Sequence, residues 1–311
     1  MKIGFLYAGQ GTQHPGMGRD LYEQYPLFRE IFDNAPVDFD LKSLCFDGPE
    51  EQLGQTQYTQ PCMVAFAAGV TALLYERGIR PHCAAGLSLG EYSALHAAGV
   101  FDAKTAIELV SFRGEAMAEA VKDRPCGMAA ILKLEREVLQ QVCDQASAAG
   151  VVEITNYNCP GQIVIGGDAA AVEKACELAT AAGARRCRPL KVSGPFHTSL
   201  MAPAGDALRE RFGSVDFRPM AFPVVFNCTG EVLQAGQTIP ALLEQQVQSS
   251  VRLEDSIRRM AALGVDTFVE IGPGKALSSF VKKTVPGLPV HVVETVEDLE
   301  NTVKLLKGET V

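Results

Sequence analysis

Between Arg124-Pro125 and Ser193-Gly194-Pro195 the hydrophobic pattern reads strand, helix, strand, strand, helix, strand. The strand windows fall at 128–132, 151–157, 162–165 and 186–192, and the helix windows at 135–149 and 169–182. That βαββαβ order is the ferredoxin-like split unit. Pro and Gly at both ends punctuate the chain where an insert would enter and leave. The spacing therefore predicts a small inserted domain over residues 124–192.

The flanking chain has a different rhythm. Residues 3–8 form a short apolar run stopped by Gly9-Gln10-Gly11, as a buried parallel strand does on entering a loop. Helical patterns follow at 17–33, 64–77, 91–98 and 103–121, with a short strand at 83–85. The second of these carries Arg77 in its last turn and meets Gly78 and Pro81, a helix stop. Beyond the insert, 222–228 and 265–271 read as core strands, the latter running into Gly272-Pro273-Gly274 and a helix. Alternating strands and helices predict an α/β core built from residues 1–123 and 193–311, interrupted by the insert.

Composition limits what such a core can do. The chain has 311 residues, 47% hydrophobic and 21% charged, enough for a buried interior. A net charge of −9 lacks the summed positive potential that nucleic acid or an anionic membrane requires, so neither is expected as a partner. The 9 cysteines include no C-x-x-C pair, which argues against a zinc site or a disulfide framework and fits a reducing cytoplasm. The longest nearly uncharged apolar run, 63–74, is well short of the ~20 residues a membrane span needs.

The sharpest chemical feature is Gly86-Leu87-Ser88-Leu89-Gly90, a G-x-S-x-G between a short strand and a helix. A turn that sharp strains the nucleophile's backbone, and flanking glycines remove the clashes. Ser88 is thus the expected nucleophile, and Leu89, the residue after it, is expected to supply an oxyanion-hole N–H. A serine needs a base, and distance prunes the 5 histidines. His82 lies roughly 20 Å back along extended chain and His96 roughly 12 Å up a helix. His291 sits in an apolar strand. His197, in the loop Gly194-Pro195-Phe196-His197-Thr198, is the first choice and His14 the second. Arg113 falls on the apolar stripe of its helix and must find an anion there, either a structural carboxylate or a substrate's. Gly9-Gln10-Gly11 and Gly272-Pro273-Gly274-Lys275-Ala276 both fail the nucleotide-binding patterns.

Taken together, Gly9-Gln10-Gly11-Thr12-Gln13, Thr59-Gln60-Pro61, Gly86-Leu87-Ser88-Leu89-Gly90-Glu91-Tyr92-Ser93, Arg113-Gly114, residues 156–162, Phe196-His197 and Glu270-Ile271-Gly272-Pro273-Gly274 resemble the malonyl-CoA:acyl-carrier-protein transacylases. The motifs stand in that family's order along nearly the whole chain. The resemblance implies an α/β-hydrolase-like core with a parallel sheet plus the inserted ferredoxin-like domain. It makes Ser88 the nucleophile, His197 the base and Arg113 the clamp for the malonyl carboxylate. Main-chain N–H groups of Gln10 and Leu89 would form the oxyanion hole, and Gln60, Leu87 and Phe196 would line the pocket. His197 would be oriented by a backbone carbonyl and a glutamine, best matched by Gln246. The chain departs from the family pattern at Ala8, Leu87, Cys159 and Ser249-Ser250, where Pro, His, Ser and Asn-Pro are usual.

The implied substrate is malonyl-CoA, with no bound cofactor and no metal, and the implied partner is an acidic, phosphopantetheinylated acyl carrier protein. Two local basic clusters are candidates for docking it: Arg185, Arg186, Arg188 and Lys191 at the end of the insert, and Lys275, Lys282 and Lys283 late in the core. The competing reading is a serine esterase or thioesterase, in which water resolves the acyl-serine. Arg113, which demands a charged acyl group, argues against it.

Overall fold

The computed structural model describes residues 1–309. Among them are ten strands: β1 (Ile3–Tyr7), β2 (Cys83–Gly86), β3 (Cys126–Leu132), β4 (Val152–Cys159), β5 (Gln162–Asp168), β6 (Arg186–Pro189), β7 (Val225–Phe226), β8 (Glu231–Val232), β9 (Thr267–Ile271) and β10 (Val290–Val293). The chain divides into two compact units, one of Met1–Gly114, Asp216–Phe226 and the chain from Ile257 onward, the other of Glu115–Val215 and Asn227–Ser256.

In the first unit four strands pair in the order β10-β9-β1-β2, every pair parallel. β2 and β9 are buried along their whole length, and β1 everywhere but its first residue. Parallel sheets covered on both faces demand such unbroken apolar runs. Register places Tyr7 beside both Gly86 and Ile271, and Ile271 beside Val293. The loops after all four strands therefore leave from one edge, the carboxyl end at which α/β sheets carry their sites.

In the second unit β4-β5-β3-β6 form an antiparallel sheet. Numbered in chain order from β3, the strands lie side by side as second, third, first and fourth, which is the ferredoxin-like arrangement expected from βαββαβ. The helices Arg136–Ala146 and Ala169–Ala181 bury Leu139, Val142, Ala171 and Ala175 against Ile131, Ile154 and Ile165 of the sheet. The outer edge of β4 is covered by Val251, which accepts from Tyr157 N–H and donates to Thr155 C=O, each at 2.8 Å. This unit takes in more chain than residues 124–192 on both sides.

Several expected elements differ, among them the strand expected over 186–192, which stops at Pro189, and the helix expected over 135–149, which stops at Ala146. The helix expected over 17–33 is two, Arg19–Gln24 and Pro26–Asp33, because Tyr25 is extended (φ −116°, ψ 113°), as a residue preceding proline prefers. The helix expected from 64 begins at Thr56 and runs to Glu76, with Pro61 inside it. The expected strand 222–228 shrinks to β7, preceded by one parallel bridge between Val224 and Ala84.

Candidate active site

Ser88 sits between β2 and the helix Gly90–Ala97 with φ 56°, a left-handed conformation that a non-glycine residue adopts only when its surroundings enforce it. Three main-chain bonds enforce it here: Leu87 N–H to Tyr7 C=O at 2.9 Å, Gly90 N–H to Leu87 C=O at 3.0 Å, and Glu91 N–H to Ser88 C=O at 3.0 Å. The turn is tight enough to exclude side chains on both flanks. A Cβ on Gly86 would lie 2.0 Å from the carbonyl carbon of Gly90, and one on Gly90 would lie 2.4 Å from the Tyr7 oxygen. The two glycines of the G-x-S-x-G pattern are thus steric requirements of the elbow that presents Ser88.

Arg113 is completely buried. Its Nη2 donates to Ser88 Oγ at 3.0 Å and its Nη1 to Gln60 Oε1 at 2.8 Å. The guanidinium also lies 5.7 Å from the centre of the Tyr92 ring. Burial pulls the Arg113 pKa down, while Tyr92 and the Glu91 carboxylate push it back up. Burial likewise raises the Tyr92 hydroxyl above its ordinary value. The residues alone leave two readings of Arg113 open, and in the structure its cation reaches the hydroxyl of Ser88.

One helix face sets both neighbours of this centre. Thr56 and Gln60, four residues apart on Thr56–Glu76 and both buried, hold Gln10 and Arg113. Gln10 Nε2 donates to Thr56 Oγ1 at 3.1 Å, which anchors the loop after β1 by its side chain. The anchoring role of Thr56 was not legible from the sequence, where this stretch read as chain preceding a helix; buried polar residues at i and i+4 were the signal that would have found it. Leu89 is buried at the start of the Gly90–Ala97 helix, and Leu87 is half-buried.

The second unit holds the histidine. His197 has φ 62° and is buried, with Thr198 Oγ donating to Pro195 C=O at 2.6 Å to hold the turn. Its Nδ1 lies 2.9 Å from the main-chain oxygen of Gln246, in the helix Ile239–Val247. A carbonyl only accepts, so Nδ1 carries a hydrogen, and the neutral ring then presents its lone pair at Nε2, where a general base needs it. Gln246 itself supplies the orienting carbonyl, and Phe196 beside the histidine is buried.

His14 and His96 have other partners. His14 places Nε2 2.7 Å from Glu294 Oε1 and Nδ1 3.1 Å from Pro15 C=O, an arrangement of two donors that suits imidazolium rather than a base. His96 Nδ1 meets Phe101 C=O at 3.1 Å, and His291 lies in β10. The basic residues Arg185, Arg186, Arg188 and Lys191 are exposed on and around β6 in the second unit, and Lys275, Lys282 and Lys283 are exposed at the two ends of Ala276–Thr284 in the first. Among the described residues no group of three or more His, Cys, Asp or Glu is placed to hold a metal, and no helix is long and apolar enough to cross a membrane.

The acyl transferase domain family matches residues 4–306. The chain is 45% identical over 311 residues to the malonyl CoA-acyl carrier protein transacylase of Bacillus subtilis, covering 99% of this chain and 98% of that one. It is 39% identical over 290 residues to the Escherichia coli protein of the same name, covering 92% and 94%. Among solved structures, the Clostridium perfringens transacylase superposes with a TM-score of 0.95 at 39% identity, over 99% of this chain and 98% of that one. A malonyl-transacylase in complex with its type II PKS acyl-carrier protein superposes with a TM-score of 0.95 at 36% identity, over 98% and 100%. With an elbow serine, a buried arginine on its oxygen and a carbonyl-oriented histidine in a chain matched end to end, the protein belongs to the malonyl CoA-acyl carrier protein transacylase family of acyl transferases.

Proposed function

We propose that the protein moves a malonyl group from malonyl-CoA to the phosphopantetheine thiol of an acyl carrier protein through a malonyl ester on Ser88. The observation that carries this reading is the buried Arg113 guanidinium within 3.0 Å of Ser88 Oγ, a cation placed where an acyl group bearing its own carboxylate would end. An uncharged acyl group gives such a cation nothing to bind, which disfavours a simple esterase or thioesterase.

In the first half-reaction His197 Nε2 takes the Ser88 proton as Oγ attacks the thioester carbonyl carbon. The oxyanion is held by the main-chain N–H groups of Gln10 and Leu89, and Arg113 holds the carboxylate. Collapse expels the coenzyme A thiolate, which receives the proton from His197 and leaves as the thiol. In the second half-reaction the carrier's thiol gives its proton to His197, the thiolate attacks the ester, and Ser88 leaves as an alkoxide that His197 reprotonates. Gln60 fixes Arg113 by accepting from Nη1, while Leu87 and Phe196 line the acyl pocket. Residues 124–192 form the ferredoxin-like subdomain in this reading, and residues 1–123 and 193–311 the catalytic core. The exposed basic clusters 185–191 and 275–283 attract the acidic carrier, and cysteine usage without a C-x-x-C pair supports a cytoplasmic setting.

The test is an intact-mass experiment. Incubation with malonyl-CoA should add one malonyl group, mapped to Ser88, that persists in water and moves to phosphopantetheinylated carrier protein when this is added. Steady release of free malonate with little transfer would make the protein a hydrolase.

A further inference from the structure

The loop after β1 has few ties to the rest of the chain. Ala8 N–H donates to Ile271 C=O at 3.0 Å before it begins, and the bonds from Gly11 N–H to Gln13 Oε1 at 2.7 Å and from Thr12 Oγ1 to Gly9 C=O at 3.4 Å stay within it. Among the described residues, the only hydrogen bond from residues 9–13 to chain outside the loop runs from Gln10 Nε2 to Thr56 Oγ1, at 3.1 Å. The same loop lies against the nucleophile elbow, since a Cβ on Gly9 would fall 2.6 Å from the carbonyl oxygen of Leu87. The main-chain N–H of Gln10 meets no acceptor among the described residues, so its direction follows from how the loop is held. We propose that Thr56 is a positioning residue for acyl transfer: by holding the side-chain amide of Gln10, its hydroxyl aims the Gln10 main-chain N–H at the oxyanion that forms on the acyl carbonyl. This rests on the oxyanion-hole role of Gln10 given above.

The physical reason is a contrast in rigidity. Thr56 is 0% exposed in the first turn of the 21-residue helix Thr56–Glu76, whereas Gln10 is half-buried on a loop. A donor stabilises an oxyanion only if it already points where the charge will develop, and one that swings free must be reoriented in the transition state. That negative charge is absent from the bound thioester, so losing the alignment slows the chemical step and leaves substrate affinity nearly intact. Gln60, four residues further along the same helix, holds Arg113 instead. One helix thus serves the reacting carbonyl through Thr56 and the charged end of the acyl group through Gln60, by separate side chains with separable effects.

Single-turnover acylation of the whole protein by malonyl-CoA, and transfer onward to phosphopantetheinylated carrier protein, both followed by rapid quench and intact mass, test this. Thr56→Val keeps the shape and removes the hydroxyl. It should lower the saturating rate of both half-reactions by about 10- to 100-fold, with the half-saturating malonyl-CoA concentration within about threefold of native, and Thr56→Ser should restore the rate. Gln10→Met, which keeps the main-chain N–H and removes the amide, should reproduce the loss, and adding Thr56→Val to it should cost nothing further. Native rates in Gln10→Met would overturn the proposal even if Thr56→Val failed to fold. So would losses that multiply in the double variant, or a Thr56→Val protein whose half-saturating concentration rises while its saturating rate holds. A native protein that takes up no malonyl group would reject the transacylase reading and this proposal with it, a failure seen before any variant is made.

Discussion

His197 donates its Nδ1 hydrogen to the main-chain carbonyl of Gln246 across 2.9 Å, so a peptide group stands where many catalytic histidines have a carboxylate. A carbonyl fixes the tautomer without adding a negative charge, and it belongs to the backbone whatever side chain is at 246. Gln246→Leu should therefore keep activity within about tenfold of the native protein, the loss coming from repacking a buried site, while His197→Ala removes the base and should lower kcat by ~10²–10⁴. Steady-state transfer rates for the two variants check this.

Gln60 Oε1 accepts from Arg113 Nη1 while Nη2 donates to Ser88. In Gln60→Leu the Nη1 hydrogen is left in the interior, which is worth about 1–3 kcal/mol. KM for malonyl-CoA should rise by roughly 5- to 100-fold, with thermal unfolding shifted far less than activity, as kinetic and melting measurements on one preparation would reveal.

Gly86→Ala should be the most damaging single methyl group in the elbow. Its Cβ would sit 2.0 Å from backbone of Gly90, which cannot yield without moving Ser88. A loss of about 3 kcal/mol or more, or failure to accumulate as soluble protein, is expected from such a clash, together with loss of acylation in whatever protein folds. Denaturant melts would measure it.

The His14–Glu294 pair should give stability a pH dependence. Burial opposes the charge on His14, but the Glu294 carboxylate and the Pro15 carbonyl outweigh it and raise the His14 pKa above 6.5. A raised pKa means that the pair stabilises the fold fully below the unfolded histidine value and loses this contribution as pH rises through the folded value. The side chain is half-exposed, so the contribution is no more than ~1 kcal/mol. Glu294 also accepts from Gly274 N–H at 3.0 Å, so Glu294→Gln should flatten the step above pH 6.5 while keeping a hydrogen bond to the loop. Melting temperatures across that range test the sign.

Charge reversal at Arg186 and Lys283, both exposed, should raise KM for the carrier protein several-fold and flatten its dependence on salt while leaving acylation by malonyl-CoA unchanged. Equal carrier KM at all salt concentrations would remove these clusters from docking.

Much of this arrangement was legible in the residues. The elbow could be read because two glycines around Ser88 have one steric meaning, and the split βαββαβ because its strand and helix windows alternate cleanly. Chain geometry removes His82 and His96 from reach of Ser88, and the loop position of His197 makes it the first choice ahead of His14. What stayed hidden depended on tertiary contacts. Pro61 disguises the first turns of the Thr56–Glu76 helix, and with them the Thr56 anchor, while Gln60 enters only through the family resemblance. The pairing of His14 with Glu294 joins residues 280 positions apart, which no local pattern encodes. The strand expected over 222–228 contracts because apolar character shows burial, whereas only Val225–Phe226 forms a strand and Val224 adds a single bridge to Ala84.

β6 closes the small sheet on the side away from β4, whose own outer edge Val251 covers. An open strand edge invites pairing with another chain, and Arg186, Arg188 and Pro189 are residues that discourage it, two by charge and one by lacking an N–H donor. The arginines thus keep the protein from sticking to itself, whatever else they attract. A variant that tests this patch is therefore better made with glutamate than with alanine or leucine, since neutralising it would leave the strand edge unprotected against aggregation.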